Sequence, residues 1–488
     1  MTDNQTHSPK QDGAEGAAGG VAVSSSNAVI SDFGIDTTSR STSEALRDYI
    51  SRVRGGEFGA LPAVGGLVVL LIVFSALSGY FLTINNLANL ITQGAGETII
   101  AIGIVFVLLL GEIDLSAGTA SGVCAAVLAL HLNNNGNLLG AMGGTVFYAF
   151  IIVLIVAALL SAWQRIWAGV FFPIVAIVLM VAGVPVNAWL EMLLAVCIGA
   201  GIGSLTGFMV SKVRIPSFVV TLALFLAWNG VAVQLVGSEG TVPIRNSPVL
   251  FAVANGNLST LWSWLLLIIA GVGYAAVILN RHFGRLRKGL VAQPTTLVLI
   301  KLGLILVLAV VATYLLTLNR SPNPTVTSIS GVPYVIPVIL VLMFVGTYVL
   351  DRTRYGRHIY AVGGNREAAR RAGVNVDKIR MSVFVICSSL AAMGAIVYSS
   401  KIGSVSGASG SGNELLFAVG AAVIGGTSLF GGRGRVRDAV IGGAVLATVA
   451  NGLGLLGFQA ATVNIVTGLV LLVAATVDAL SRRKATAS

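Results

Sequence analysis

Ala101-Ile102-Gly103-Ile104-Val105-Phe106-Val107-Leu108-Leu109-Leu110 runs uncharged into Gly111-Glu112-Ile113-Asp114-Leu115-Ser116-Ala117-Gly118. With the residues upstream to 87, this run reaches the ~20 residues an α-helix needs to cross a bilayer. Comparable apolar runs recur between residues 60 and 481. Over the full 488 residues 56% are hydrophobic and 10% charged, and mean hydropathy is +0.90. Soluble domains carry roughly 25% charged residues, so this chain cannot cover the outside of a water-soluble globule. Lipid offers backbone polar groups no partner, and helices satisfy them internally. The class is therefore all-α, a polytopic transmembrane helical bundle. Outer-membrane barrels, nucleic-acid binders and secreted disulfide domains are set aside.

Turn signals divide the runs into about fourteen candidate spans, with twelve to fourteen admissible, near 60–82, 87–110, 115–132, 143–161, 166–183, 190–210, 217–236, 259–280, 294–318, 332–350, 379–400, 414–431, 437–457 and 461–481. The net charge of +11 maps their orientation. With a cytoplasmic N-terminus and every span crossing, 26 of the 30 Lys and Arg face the cytoplasm. Eight of these lie in 352–380, four in 281–288 and three in 433–437. Arg245, Arg320 and Lys401 fall outside, and Lys301 lies within a span. Positive residues are retained in the cytoplasm, so both termini are expected on that side of the membrane. Residues 56–481 form the membrane domain, and 482–488 a short cytoplasmic tail. Residues 1–55 are polar, lack a signal-peptide core and read as a disordered cytoplasmic tail, with an amphipathic stretch at Ser43–Val53. The outside loops are too short for an extracellular domain. Cys124, Cys197 and Cys387 lie in apolar runs without CxxC spacing and read as core residues.

The turn at 111–118 carries two acids and no base, unlike the other cytoplasmic turns, so a re-entrant or broken helix is an alternative there. It shares the pattern G-x-x-[DS]-L-x-x-G with Gly425-Gly426-Thr427-Ser428-Leu429-Phe430-Gly431-Gly432. Repeated halves with Gly-interrupted helices are common in transporters, where the breaks line a pathway. Chance similarity among 59 glycines is the competing explanation.

Within the loop 351–380, Asn365-Arg366-Glu367-Ala368-Ala369-Arg370-Arg371-Ala372-Gly373 reads as a short capped helix. Asn365 suits the N-cap, Glu367 the positive end, Arg370 and Arg371 the negative end, and Gly373 the C′ position. So short a helix is marginal alone, and it should rest on another surface. A solvated connector whose arginines only enforce topology is the plain alternative.

The pattern Glu-Ala-Ala, three residues, Gly resembles the coupling loop of ABC importer permeases, which docks into the ATPase subunit. The likeness extends along the chain. Residues 111–118 are similar to that family's GGIDLSxG, 215–222 (Ile-Pro-Ser-Phe-Val-Val-Thr-Leu) to PSFxxTL, 355–373 to YGR…AxGGNxEAARxxG, and 423–434 to VIGGTSLxGGRG. The chain is identified as resembling the permease subunit of bacterial ABC monosaccharide importers, the ribose/xylose branch, and xylose-type members most. It departs in apolar material near 140–187 and 290–325, which reads as extra spans, and in Glu112, where the commoner pattern has Gly. The resemblance implies that Asn365, Glu367, Ala368, Ala369, Arg370 and Gly373 couple to the ATPase.

No Lys precedes Ser or Thr, so a phosphate loop GxxxxGK[ST] is absent, and the four histidines show no catalytic spacing. The chain is read as a non-enzyme that binds no metal or cofactor, with ATP and Mg used by a partner. Ionisable groups within spans are costly and mark pathways, which points to Glu97, Asp114, Glu112 and Glu414, with Glu191 and Lys301 in added, peripheral spans. A neutral sugar would meet amides and hydroxyls, for which Asn89, Gln93, Thr98, Ser217, Thr221, Asn229, Asn451 and Asn464 suit, though such residues also serve helix packing. The candidate pathway set is Asn89, Gln93, Glu97, Thr98, Asp114, Thr221, Gly425, Gly426, Thr427 and Ser428. The expected function is the membrane subunit of an ATP-driven monosaccharide importer of alternating-access type. Its expected partners are an ABC ATPase, an extracytoplasmic sugar-binding protein, a second copy in a homodimer, and membrane lipid, with no nucleic acid. An ion-coupled secondary transporter and a non-transporting membrane scaffold are the alternatives.

Overall fold

The computed structural model describes Arg47 and residues 60–487, apart from 238, 239, 291, 322, 324 and 326. The expected tail 1–55, Arg47 aside, and the side chains of the closing segment from 477 lie outside the described residues.

Helices follow one another along the chain: α1 Leu61–Leu77, α2 Ile84–Gln93, α3 Ala95–Leu109, α4 Ala117–Asn133, α5 Leu138–Met142, α6 Gly144–Trp163, α7 Trp167–Val181, α8 Ala188–Phe208 and α9 Ser217–Val236. After β1 Thr241–Pro243 come α10 Pro248–Asn255, α11 Thr260–Arg287, α12 Thr295–Thr317, α13 Val335–Arg352, α14 Arg354–Gly364, α15 Arg366–Arg371 and α16 Val376–Ile402. The chain closes through β2 Ser404–Ser406, α17 Glu414–Ile424, α18 Val436–Leu455 and α19 Ala460–Ala487.

Among the described residues nine helical segments are long and apolar enough to cross a bilayer, and five shorter apolar helices accompany them. Every predicted apolar segment contains one of these helices. The segment 414–431 needs correction: α17 has 11 residues, about 16 Å at 1.5 Å per residue, half a hydrocarbon layer. The helix stops because Gly426, Gly431 and Gly432 take φ of +116°, +85° and +74°, a region closed to most side chains. The loop 351–380 is likewise more ordered than expected. It holds α14 as well as α15, and α16 begins at Val376 rather than near 379.

Helix α16 forms the centre, packed on α8, α3 and α4. Glycines four apart make the closest approach possible. A side chain at Gly199, Gly203 or Gly207 would strike the backbone of Ser388, Phe384 or Met381, the small-residue seam typical of membrane helices. The two stretches read as extra spans, 140–187 and 290–325, differ in burial. Helix α6 buries Phe147, Phe150 and Leu154, and with α7 it packs against α8. By contrast α12, in the second of these stretches, buries only Leu302, Thr313 and Leu316. Glu191 is therefore not peripheral: it is fully buried on α8, 3.5 Å from the equally buried His131 of α4.

The ends of the bundle differ. At one, β1 and β2 pair antiparallel, Thr241 opposite Ser406 and Pro243 opposite Ser404. There Arg245 donates to the Ile402 carbonyl (3.1 Å) and Arg320 to those of Leu316 (2.7 Å) and Gly331 (3.1 Å). Lys401 is at the same end, so the three bases expected together are together. The opposite, basic end carries Lys212 paired with Asp377 (3.7 Å), Arg281 with Asp351 (4.0 Å), and helices α14 and α15.

Candidate functional site

At the basic end the chain leaves α3 and crosses residues 110–116 without helix. Asp114 accepts from the Ser116 N–H (3.0 Å) and hydroxyl (2.7 Å), shaping the entry to α4. From α9, Ser217 accepts the Ile113 N–H (3.3 Å) and Thr221 donates to the Ile113 carbonyl (3.2 Å). The second break, after α17, is held in the same manner. Asp438 accepts from the Arg435 N–H (2.7 Å) and the Thr427 hydroxyl (3.5 Å), and the Ser428 N–H donates to the Arg433 carbonyl (2.9 Å).

The two similar motifs lie side by side. The Gly432 N–H donates to the Leu109 carbonyl (2.9 Å), and a Cβ on Gly111 would come within 3.0 Å of the Phe430 carbonyl oxygen. Gly363 of α14 closes over both, with space for no side chain against the Leu109 carbonyl and the Gly432 nitrogen.

Helix α14 is fastened by Tyr360, which donates to the Gly434 carbonyl (2.9 Å). Burial pushes this phenol up to about 12, so it keeps its donor proton throughout the physiological range. Helix α15 has the predicted caps: Asn365 accepts from the Ala368 N–H (2.9 Å), and Gly373 takes φ +83°. Its faces differ. Ala369 is buried and Arg366 turns inward to Glu112 (2.6 Å), whereas Glu367 is exposed and, among the described residues, pairs within the helix, with Arg370 and Arg371 at 3.5 Å. Glu112 is also met by Arg380 of α16 (2.6 Å), which accounts for this acid in a turn that has no base of its own.

The other candidate residues lie toward the opposite end. Asn89, Gln93 and Glu97 recur at intervals of four along α2 and α3, and Asn89 and Gln93 are exposed. Behind them Asn86 and Asn451 exchange amide hydrogen bonds of 2.8 and 3.0 Å, and Asn451 also donates to Gln93 (3.3 Å). Lys401 donates to Asn89 (3.0 Å) and Thr92 (2.8 Å). Deeper in, Glu97 and Glu414 each hold one buried oxygen with no hydrogen-bond partner. Tyr398 lines with Glu414 a small crevice closed by Ser121, Ser399 and Gly410. Thr98 instead spends its hydroxyl on the Gly94 carbonyl (2.6 Å).

Sequence reasoning thus grouped residues that the fold separates. Asp114, Thr221 and 425–428 belong to the basic-end junction, Asn89, Gln93 and Glu97 to the polar face. It missed Asn86, Tyr398 and the partners of Glu112. The four-residue spacing of Asn89, Gln93 and Glu97 was a usable signal, whereas pairing across 254 residues, as for Arg366 and Glu112, leaves none in a single sequence.

A bundle broken twice by glycine-rich segments, with a two-sided helix clasped beneath them, is the build of a transport-system permease, and the comparisons agree. The family described as branched-chain amino acid transport system / permease component matches residues 166–475. The xylose transport system permease protein XylH of Escherichia coli (strain K12) is 30% identical over 425 residues, covering 86% of this chain and 92% of its own. XylH of Haemophilus influenzae is 30% identical over 421 residues, covering 86% and 95%. The ribose import permease protein RbsC of Escherichia coli (strain K12) is 28% identical over 412 residues, covering 84% and 91%. No solved structure matches. The chain belongs to this permease family, in its ribose/xylose branch. It is an integral membrane protein and a non-catalytic transport component.

Proposed function

We propose that this chain is the membrane subunit of an ATP-driven importer that carries a monosaccharide, xylose foremost, across a bacterial inner membrane by alternating access. The single observation that carries the coupling assignment is the two-sidedness of α15. Ala369 and Arg366 anchor it to the bundle, while Asn365, Glu367, Ala368 and Arg370 face away from it, free for an ATPase subunit. The basic end is then cytoplasmic by charge retention, with both termini on that side. A sugar-binding protein meets the β1–β2 end. The exposed amides Asn89 and Gln93 support a pathway along α2, because polar side chains are costly against lipid. A second copy of the chain would supply its other wall. The xylose and ribose permeases among the relatives support a pentose as cargo. ATP and Mg belong to the partner.

The test is reconstitution in liposomes with the ATPase and a panel of monosaccharides, each with its binding protein. ATP-dependent uptake that survives an ionophore is expected; uptake without the ATPase that stops when ion gradients collapse would establish an ion-coupled carrier instead. Glu367→Lys alters only the outward face of α15 and is expected to abolish uptake with the protein still in the membrane. Normal uptake by that variant would overturn the docking assignment.

A further inference from the structure

Glu112 occupies a place that the pathway reading does not require. Its side chain is 5% exposed and lies at the start of the non-helical segment 110–116. One oxygen, Oε1, accepts from Arg366 Nη2 (2.6 Å) and Arg380 Nε (2.8 Å), and Arg380 Nη2 lies 2.6 Å from it as an ion pair. Arg366 is the first residue of α15, and the same nitrogen reaches the Leu110 carbonyl (3.1 Å). Arg380, on α16, is 12% exposed. A single carboxylate therefore fastens the outward-facing helix, the central helix and the first glycine break together.

The residues immediately after Glu112 are equally constrained. Ile113 is gripped on both backbone groups by Ser217 and Thr221 of α9, and Asp114 shapes the first turn of α4. Displacing Arg366 with α15 pulls on Glu112 directly, and through Ile113 and Asp114 on two further helices. A hydrogen-bonded charge pair suits this role, since short charge-assisted bonds resist stretching more than apolar contacts.

We infer that Glu112 is the positioning residue through which α15 sets the conformation of the 110–116 break, so that movement of a docked partner reaches the helices of the transport pathway. This inference rests on the importer reading. Coupling has content only if the helix meets different contacts in two states. The clasp of Glu112 with Arg366 and Arg380 is the set of contacts that one state holds and the other must exchange.

The experiment uses the full importer complex in liposomes and reads two rates, sugar taken up and ATP hydrolysed. Glu112→Gln is expected to lower the sugar carried per ATP at least tenfold while ATP hydrolysis stays within twofold. Glu112→Asp should recover part of the ratio. Arg366→Gln, at a half-exposed position that the fold tolerates, should lower it less, and the double variant should be no worse than Glu112→Gln alone. Uptake and hydrolysis falling in proportion, or losses that simply add, would make Glu112 a stability residue and overturn the inference while the importer reading stands. An unaltered complex without ATP-dependent uptake would overturn both.

Discussion

Two junctions, one toward each end of this bundle, are made by different means. At the basic end the halves meet backbone to backbone: Gly111 against Phe430, Gly432 on Leu109, Gly363 over both. At the other end β1 and β2 also pair by backbone, but α2 and α18 meet through side chains, the amides of Asn86, Gln93 and Asn451. Backbone contact between glycines tolerates no added atom, so that junction has few alternative packings. Amides can exchange one another for water or for a hydroxylated solute with little net change, because each lost hydrogen bond is replaced. The glycine junction is thus set by shape, the contact of α2 with α18 by exchangeable bonds.

The sharpest way to break this contrast is Gly363→Val. Its side chain would enter the Leu109 carbonyl; overpacking of this kind costs about 3 kcal/mol, roughly a hundredfold in any conformational balance. Uptake in cells, normalised to membrane-inserted protein, should fall to background. Gly373→Val tests conformation without collision, since nothing lies near a side chain there but φ is +83°. The strain, about 1–2 kcal/mol, should cost roughly tenfold in uptake, and Gly373→Asn, which tolerates that φ, should lose less.

Amide variants should be milder. Asn451→Ala removes hydrogen bonds that average about 0.6 kcal/mol in membrane bundles, a two- to threefold change in half-saturation for sugar. Asn86→Ala added to it should cost little more, because the partner is already gone. If Asn451→Ala silenced uptake as fully as Gly363→Val, the distinction between the two junctions would collapse. Lys401→Gln keeps a donor for Asn89 and Thr92 and should change uptake less than about twofold, the usual size of surface effects.

Much of this was legible because lipid leaves so few choices. Apolarity and length located a helix in all fourteen segments, and capping chemistry located α15 from Asn365 to Gly373. The same criterion misjudged 414–431, since Leu415 to Gly432 carries no charge although glycine φ angles end the helix. Helix α14 was hidden because its buried residues, Gly356, Ile359 and Val362, are spaced among arginines that read as a solvated loop. The site was legible only where its parts are local. Asp114 and Ser116 are neighbours, but the separation of Asp114 from Asn89, and the union of Glu112 with Arg366 and Arg380, are products of tertiary packing.

The outlying pair α11 and α12 has a further consequence. Helix α11 has 28 residues, about 42 Å at 1.5 Å per residue, against a hydrocarbon layer of about 30 Å. So little of it is buried that its tilt is set by the membrane more than by the protein. In a thin bilayer it must lean further or lift Arg281, Arg285, Arg287 and Lys288 farther past the headgroups. Because Arg281 reaches Asp351 at the end of α13, just before α14 begins, bilayer thickness bears mechanically on the segment from which the clasped helices depart.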